Sequence, residues 1–299
     1  MEKKIKMTKR KLRMSKSYKA FLILNTIIMF VIAAVTLYPF LYLVAQSFSS
    51  DRAIVQGLVS VLPVEFNLVT YKKVLEGGTF LAYYKNTILY AIIGTAASLF
   101  FTAILAYPLS KPELRLNKFV TPFIIFTMYF GGGLIPNYVL MTALGLRNTV
   151  SAFLLPGLIG TYYVLLMKSF FANVPRELEE AGEIDGLSSI GVFFRIVLPL
   201  SKPIIATMLL FYMSGIWSNW FTAFLYLEDK AKWPVAYYVR QMITMSSSNS
   251  DPSVSADFAQ LAANIKSCCM VLMSVPIICV YPCIQKYFVQ GMMLGGVKE

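Results

Sequence analysis

Residues 20–50 read AFLILNTIIMFVIAAVTLYPFLYLVAQSFSS, 31 consecutive positions without Asp, Glu, Lys or Arg. A helix rising 1.5 Å per residue needs about 20 residues to cross a hydrocarbon layer roughly 30 Å thick, so this one stretch is long enough to span a bilayer. Five more charge-free runs follow, at residues 86–110, 119–146, 148–167, 203–227 and 267–285, the shortest being 19 residues. In lipid every backbone amide must find its partner inside its own segment, which helices do by construction. The pattern predicts an all-α polytopic membrane protein with six transmembrane helices. In the third run, Gly131, Gly132, Gly133 and Pro136 predict a break or bend.

Composition agrees, with 57% hydrophobic and only 14% charged residues among 299. Soluble domains carry nearly twice that share of charge. Nine of the 27 Lys and Arg residues precede residue 20 (Lys3, Lys4, Lys6, Lys9, Arg10, Lys11, Arg13, Lys16 and Lys19), opposed only by Glu2. A basic block directly before a first span follows the positive-inside rule, which assigns residues 1–19 to a cytoplasmic tail and argues against a nucleic-acid partner. Six spans return the C-terminus to the same side of the cell membrane. Residues 51–85 and 228–266 then lie outside, and residues 168–202 inside. The apolar stretch after the tail is about twice the length of a signal peptide's, so it reads as an uncleaved first helix. Cys268, Cys269, Cys279 and Cys283 all fall in the last run and read as helix-packing residues.

Outside the membrane, Tyr71, Lys72, Lys73 and Leu75 predict a short surface helix before Gly77 and Gly78, and the Ser-rich residues 246–255 predict a loop. The connection at 168–202 is the inner segment with helical patterning. Pro175 suits a first helical turn, Glu177 and Glu179 sit near the positive end of the helix dipole, and Gly186 is a natural stop. Within that helix, about 175–185, Leu178, Ala181, Gly182 and Asp185 share a face by i, i+3, i+4, i+7 spacing, with Glu179, Glu180 and Glu183 beside it. Its small residues let another surface approach closely. A second helix is expected from Ser188 or Ser189, carrying Phe193, Phe194, Ile196 and Val197 toward Leu198 and Pro199.

Several chemistries are missing. There is no histidine, which removes the commonest general base and most zinc sites. No G-x-x-x-x-G-K-[ST] loop occurs, so the chain has no familiar means of hydrolysing ATP. An ion-coupled carrier usually keeps Asp, Glu, Arg or Lys within its spans, and these six runs hold none. An uncoupled channel leaves the patterned inner helix unexplained, and a membrane enzyme would have to work without histidine. A transport subunit driven by a separate motor accounts for both features.

The run Glu180-Ala181-Gly182, three residues ending in Asp185, then Gly186, nine residues and Ile196-Val197-Leu198-Pro199 resembles the EAA motif of permease subunits in binding-protein-dependent ABC importers. Gly182 stands where the family usually has a second alanine. Trp217-Ser218-Asn219-Trp220-Phe221 and the ending from Gln285 to Lys298 are similar to the carbohydrate-uptake branch, the group of the smaller maltose permease. Gly131 to Pro136 with Gly145 and Leu146 resembles a subgroup importing plant-polysaccharide fragments such as aldouronate and pectin-type oligosaccharides.

The resemblance implies a type I importer transmembrane domain over residues 20–299. It also implies a coupling helix between spans four and five, with Glu180, Ala181, Gly182, Asp185 and Gly186 engaging an ATPase. The expected partners are a second homologous permease, two cytoplasmic ATPase subunits, an extracytoplasmic sugar-binding protein, membrane lipid and an oligosaccharide. ATP and Mg would belong to the ATPase, and this chain itself would hold no cofactor and no metal. Trp217, Asn219 and Trp220 either line a sugar path, where rings stack on sugars and the amide bonds hydroxyls, or anchor the helix at the interface.

Overall fold

The computed structural model describes residues 15–248, 264–282 and 285, and every regular element among them is a helix. The basic tail up to residue 14, Cys283 and the ending from Lys286 lie outside the described residues. The first run forms α1 (Lys16–Ser47), capped by Ser15, whose hydroxyl accepts the Tyr18 N–H at 3.1 Å. It is apolar on all sides, its membrane-crossing window has no buried position, and only Ala45 and Ser47 near its end are covered by the rest of the chain. A helix apolar all round needs cover, which lipid or another chain must supply here.

Two short helices follow, α2 (Asp51–Val55) and α3 (Val69–Glu76). The second is the surface helix expected around Tyr71. Gly78, at φ +68°, turns the chain into α4 (Thr79–Leu109), the second span. The third run breaks as its glycines predict, into α5 (Asn117–Tyr129) and α6 (Leu134–Ala143), bent by 111°. The bend is made at Gly133, whose φ of +87° only glycine adopts readily, whereas Pro136 sits in the first turn of α6, where its missing N–H is not needed.

The fourth run comprises α7 (Val150–Leu154), a 3₁₀ turn (Leu155–Gly157) and α8 (Thr161–Ala172), bent by 51°. After α9 (Arg176–Ile184) come α10 (Ser189–Val192), a π-helical turn (Phe193–Val197) and α11 (Leu198–Leu200), which meet α12 (Lys202–Trp217) at 81°. The last elements are α13 (Phe221–Tyr226), α14 (Val235–Ser248) and α15 (Asn264–Pro282). Among the described residues three helices, α1, α4 and α15, are each long and apolar enough to cross a membrane, and there are up to six spans if each bent pair counts as one.

Two expectations need adjustment. The fifth run is not one helix, because α12 stops at Trp217 and α13 restarts at Phe221. The Ser-rich segment does not begin a loop at 246, since residues 246–248 finish α14, and the remainder lies outside the described residues.

The spans are held by α4, which packs most extensively on α12 and then on α8. Gly94 allows that approach. A Cβ there would stand 2.7 Å from Ile216 Cδ1 and 2.8 Å from Leu154 Cδ2. Inside the interface Thr102 and Tyr212 share a 2.6 Å hydrogen bond, and the same Tyr212 oxygen accepts the Gly160 N–H at 3.1 Å, pinning the bend of the fourth span. Bonds of this kind within membranes contribute about 0.6 kcal/mol each. Cys268 and Cys269 are buried packing residues, while Cys279 is exposed.

Candidate functional site

Helix α9 is positioned by its two ends. Pro175 lies one residue outside it, as the cap rather than the first turn, because its ring-fixed φ of −57° combines with an extended ψ of 128°. At the other end Gly186 has φ +83°, the left-handed conformation its sequence position predicts. Leu187 N–H reaches Gly182 O at 2.9 Å and Gly186 N–H reaches Glu183 O at 3.0 Å, which together make a Schellman closure.

The face expected from helical spacing divides in the structure. Leu178, Ala181 and Asp185 are exposed, together with Ile184 at 87% exposure, but Gly182 is buried. Gly182 therefore does not present a small surface to an outside partner. It lets α9 approach this chain's own next segment, since a Cβ would meet Ile196 Cδ1 at 2.5 Å, with Leu187 and Val192 close behind. Glu180 and Glu183 remain exposed beside the outward face.

What turns Gly182 inward is its neighbour one turn back, Glu179. Its carboxylate is almost fully buried and accepts a hydrogen bond from the Tyr107 hydroxyl at 3.0 Å, with the Lys111 ammonium as its ion-pair partner. The same ammonium stands 4.6 Å from the centre of the Tyr107 ring, which also packs on Phe193 of the π turn at 4.8 Å. A buried carboxylate is tolerated only when paired in this way. Arg176 and Glu113, 2.7 Å apart but exposed, add a second and weaker tie to the same connection. Lys111, Glu113, Arg176, Glu179, Glu180 and Glu183 surround a groove of about 570 Å³. The end of α4, helix α9 and the π turn thus form one interlocked unit.

The aromatic cluster lies at the break between α12 and α13. Trp217 is buried, edge-on to Tyr84 at 5.5 Å, with its indole N–H donated to Met273 O of α15 at 2.9 Å. Its polar atom is already satisfied within the protein. Asn219 is half-buried, and its side-chain oxygen accepts the Thr222 N–H at 3.1 Å, helping to start α13. Trp220 keeps 36% of its surface exposed, and Arg240 from α14 holds its guanidinium carbon 4.8 Å from that ring.

Sequence reasoning missed Tyr107, Lys111 and Arg240, and it placed Ile196 on the second inner helix without its approach to Gly182. For Lys111 a signal existed, as the first charge after the second run. For the others none did, because each acts through a contact distant in sequence or hidden by an unpredicted π turn.

These features coincide with a known group of proteins. Residues 11–294 match the model of a family described as the binding-protein-dependent transport system inner membrane component. The protein LplC of Bacillus subtilis (strain 168) is 41% identical over 287 residues, covering 95% of this chain and 97% of its own length. The polygalacturonan/rhamnogalacturonan transport system permease protein YtcP of the same organism is 35% identical over 284 residues, covering 93% and 97%. Among solved structures, a chain of a bacterial ABC transporter involved in the import of the acidic polysaccharide alginate is similar. It superposes with a TM-score of 0.83 and 32% identity, covering 92% of this chain and 99% of that one. The six apolar spans, the helical connection between the fourth and fifth and the match along almost the whole length agree: this chain is a membrane-embedded transport component, not an enzyme, and belongs to the binding-protein-dependent transport system inner membrane component family.

Proposed function

We propose that this chain is one of two permease subunits in an ATP-driven importer of acidic oligosaccharides, uronate-bearing fragments such as aldouronate or pectin pieces. The observation that carries the reading is similarity, over more than nine-tenths of the chain, both to a polygalacturonan/rhamnogalacturonan permease and to a subunit of an alginate importer. Polygalacturonan and alginate are both polyuronates, so the shared chemical feature is a sugar ring bearing a carboxylate. A second homologous permease covers α1 and the path-facing side of the bundle, with membrane lipid around the rest. Two cytoplasmic ATPase subunits hold ATP and Mg, and an extracytoplasmic binding protein delivers the sugar. Both termini and α9 face the cytoplasm, which the basic tail supports, and that tail meets the membrane surface rather than nucleic acid.

In this arrangement the ATPases grip the outward side of α9 through Leu178, Ala181, Ile184 and Asp185, with Glu180 and Glu183 meeting basic residues. Gly186 closes the helix and Gly182 locks it to Ile196. A displacement of α9 is passed to α4 through Glu179, Tyr107 and Lys111, and to α12 through the π turn. Because α4 and α12 pack on each other, the two spans tilt as one body and the cavity alternates between its two openings. Trp220 and Asn219 belong to the path, whereas Trp217 supports it from behind.

Reconstitution of the complex in vesicles tests the reading. Uptake of trigalacturonate should depend on ATP, stop with vanadate and ignore a protonophore. Uptake driven by an ion gradient without ATP, or transport of neutral oligosaccharides alone, would overturn it.

A further inference from the structure

We infer that Arg240, stacked on Trp220, is a carboxylate-recognition subsite in the translocation path, selecting uronate rings as they pass, an inference that rests on the acidic-oligosaccharide reading above. Residues 218–220 are irregular between α12 and α13, with Ser218 and Trp220 exposed. Irregular backbone at membrane depth is tolerated only where protein or an aqueous cavity covers it, and interrupted helices build the substrate sites of other transporters. On this proposal the open side of the break faces the path.

Arg240 sits over that opening. It is exposed, and its guanidinium lies 4.8 Å from the Trp220 ring. Among the described residues no carboxylate pairs with it, and the acids that precede it most closely in the chain are engaged elsewhere, Glu228 with Arg147 and Asp229 with Lys232. A guanidinium held over an indole still has N–H donors to offer, and a carboxylate can accept two of them in parallel. Next to Trp220 in the chain, Asn219 has committed only its side-chain oxygen, to Thr222 N–H. Its amide hydrogens are available to a ring hydroxyl. An indole in contact with a guanidinium, and an amide next to that indole in the chain, match the ring, carboxylate and hydroxyl of a uronate.

The test is uptake by the whole complex, reconstituted with its ATPases and binding protein, with trigalacturonate as the probe. Charged hydrogen bonds of this type correspond to about a tenfold or greater effect, so Arg240→Gln should lower uptake at limiting substrate by at least about tenfold. Arg240→Lys should recover part of it. ATP hydrolysis stimulated by the loaded binding protein should fall far less than uptake, raising the ATP spent per sugar. Wild-type uptake with an unaffected Arg240→Gln variant would overturn the subsite and leave the importer reading standing. Equal loss of uptake and stimulated hydrolysis would make Arg240 a docking residue for the binding protein instead. No trigalacturonate uptake by the wild type would overturn both.

Discussion

The Glu179 carboxylate of the short helix α9 accepts a hydrogen bond from the Tyr107 hydroxyl at 3.0 Å, joining residues 72 positions apart at the end of the span α4. With Lys111 completing the pair, this contact makes α9 an extension of the α4 body rather than a free surface loop. Leaving one member of such a buried set unpaired costs on the order of 1–3 kcal/mol. Glu179→Ala is expected to insert in the membrane but lose most transport-linked ATP hydrolysis, whereas Tyr107→Phe, which removes one neutral donor, loses about 1 kcal/mol and retains coupling. Thermal unfolding of the complex and ATP hydrolysed per sugar measure the two effects; identical behaviour of both variants would remove Glu179 from the force path.

Gly182 should behave as an internal contact. Ile196 Cδ1 is the flexible end of a side chain, so Gly182→Ala is tolerated with a small shift, but Gly182→Leu overpacks the site by roughly 1–3 kcal/mol. Trimming the partner should restore room. Gly182→Leu combined with Ile196→Ala is expected to recover stability and ATPase retention relative to Gly182→Leu alone. If the double variant is no better than the single one, the harm lies at an external interface.

At Gly186 a Cβ would meet no atom within 4 Å, so space is not the constraint and the φ of +83° is. Strain of about 1–2 kcal/mol should follow from Gly186→Val. Gly186→Asn, a residue that visits this conformation more readily, should cost less. The order Gly, Asn, Val in retained ATPase subunits, read by pull-down from membranes, checks the assignment.

For the break after α12, Trp217 and Asn219 should separate. Trp217→Phe keeps the ring but forfeits the bond to Met273 O, an expected loss of about 1 kcal/mol with sugar preference unchanged. Asn219→Leu should change preference among oligosaccharides while the complex still assembles. Competition assays with a panel of sugars distinguish them, and a shifted preference in Trp217→Phe would place that ring in the path after all.

Orientation is tested in a background without native cysteines, needed because Cys279 is exposed. A cysteine at Ser248 should react with an impermeant thiol reagent in intact cells and one at Ser17 should not. The opposite pattern would invert the protein.

Read alone, the sequence determined the six apolar segments, the bend at the third, the position of the inner helix and the left-handed glycine that ends it. These are local properties. Charge-free length, glycine's freedom at positive φ and motif spacing are all carried by neighbouring residues. Tertiary structure alone decided which side of α9 turns inward, because periodicity says that Leu178, Ala181, Gly182 and Asp185 lie near one another but not where a buried carboxylate will find its cation. That was set by Tyr107 and Lys111 at the end of another span. It also set the partition of the tryptophans, one buried against Met273 O and one left open under Arg240, since both are equally apolar and equally placed in the chain. Their difference arises only when α4, α14 and α15 pack around the gap between α12 and α13.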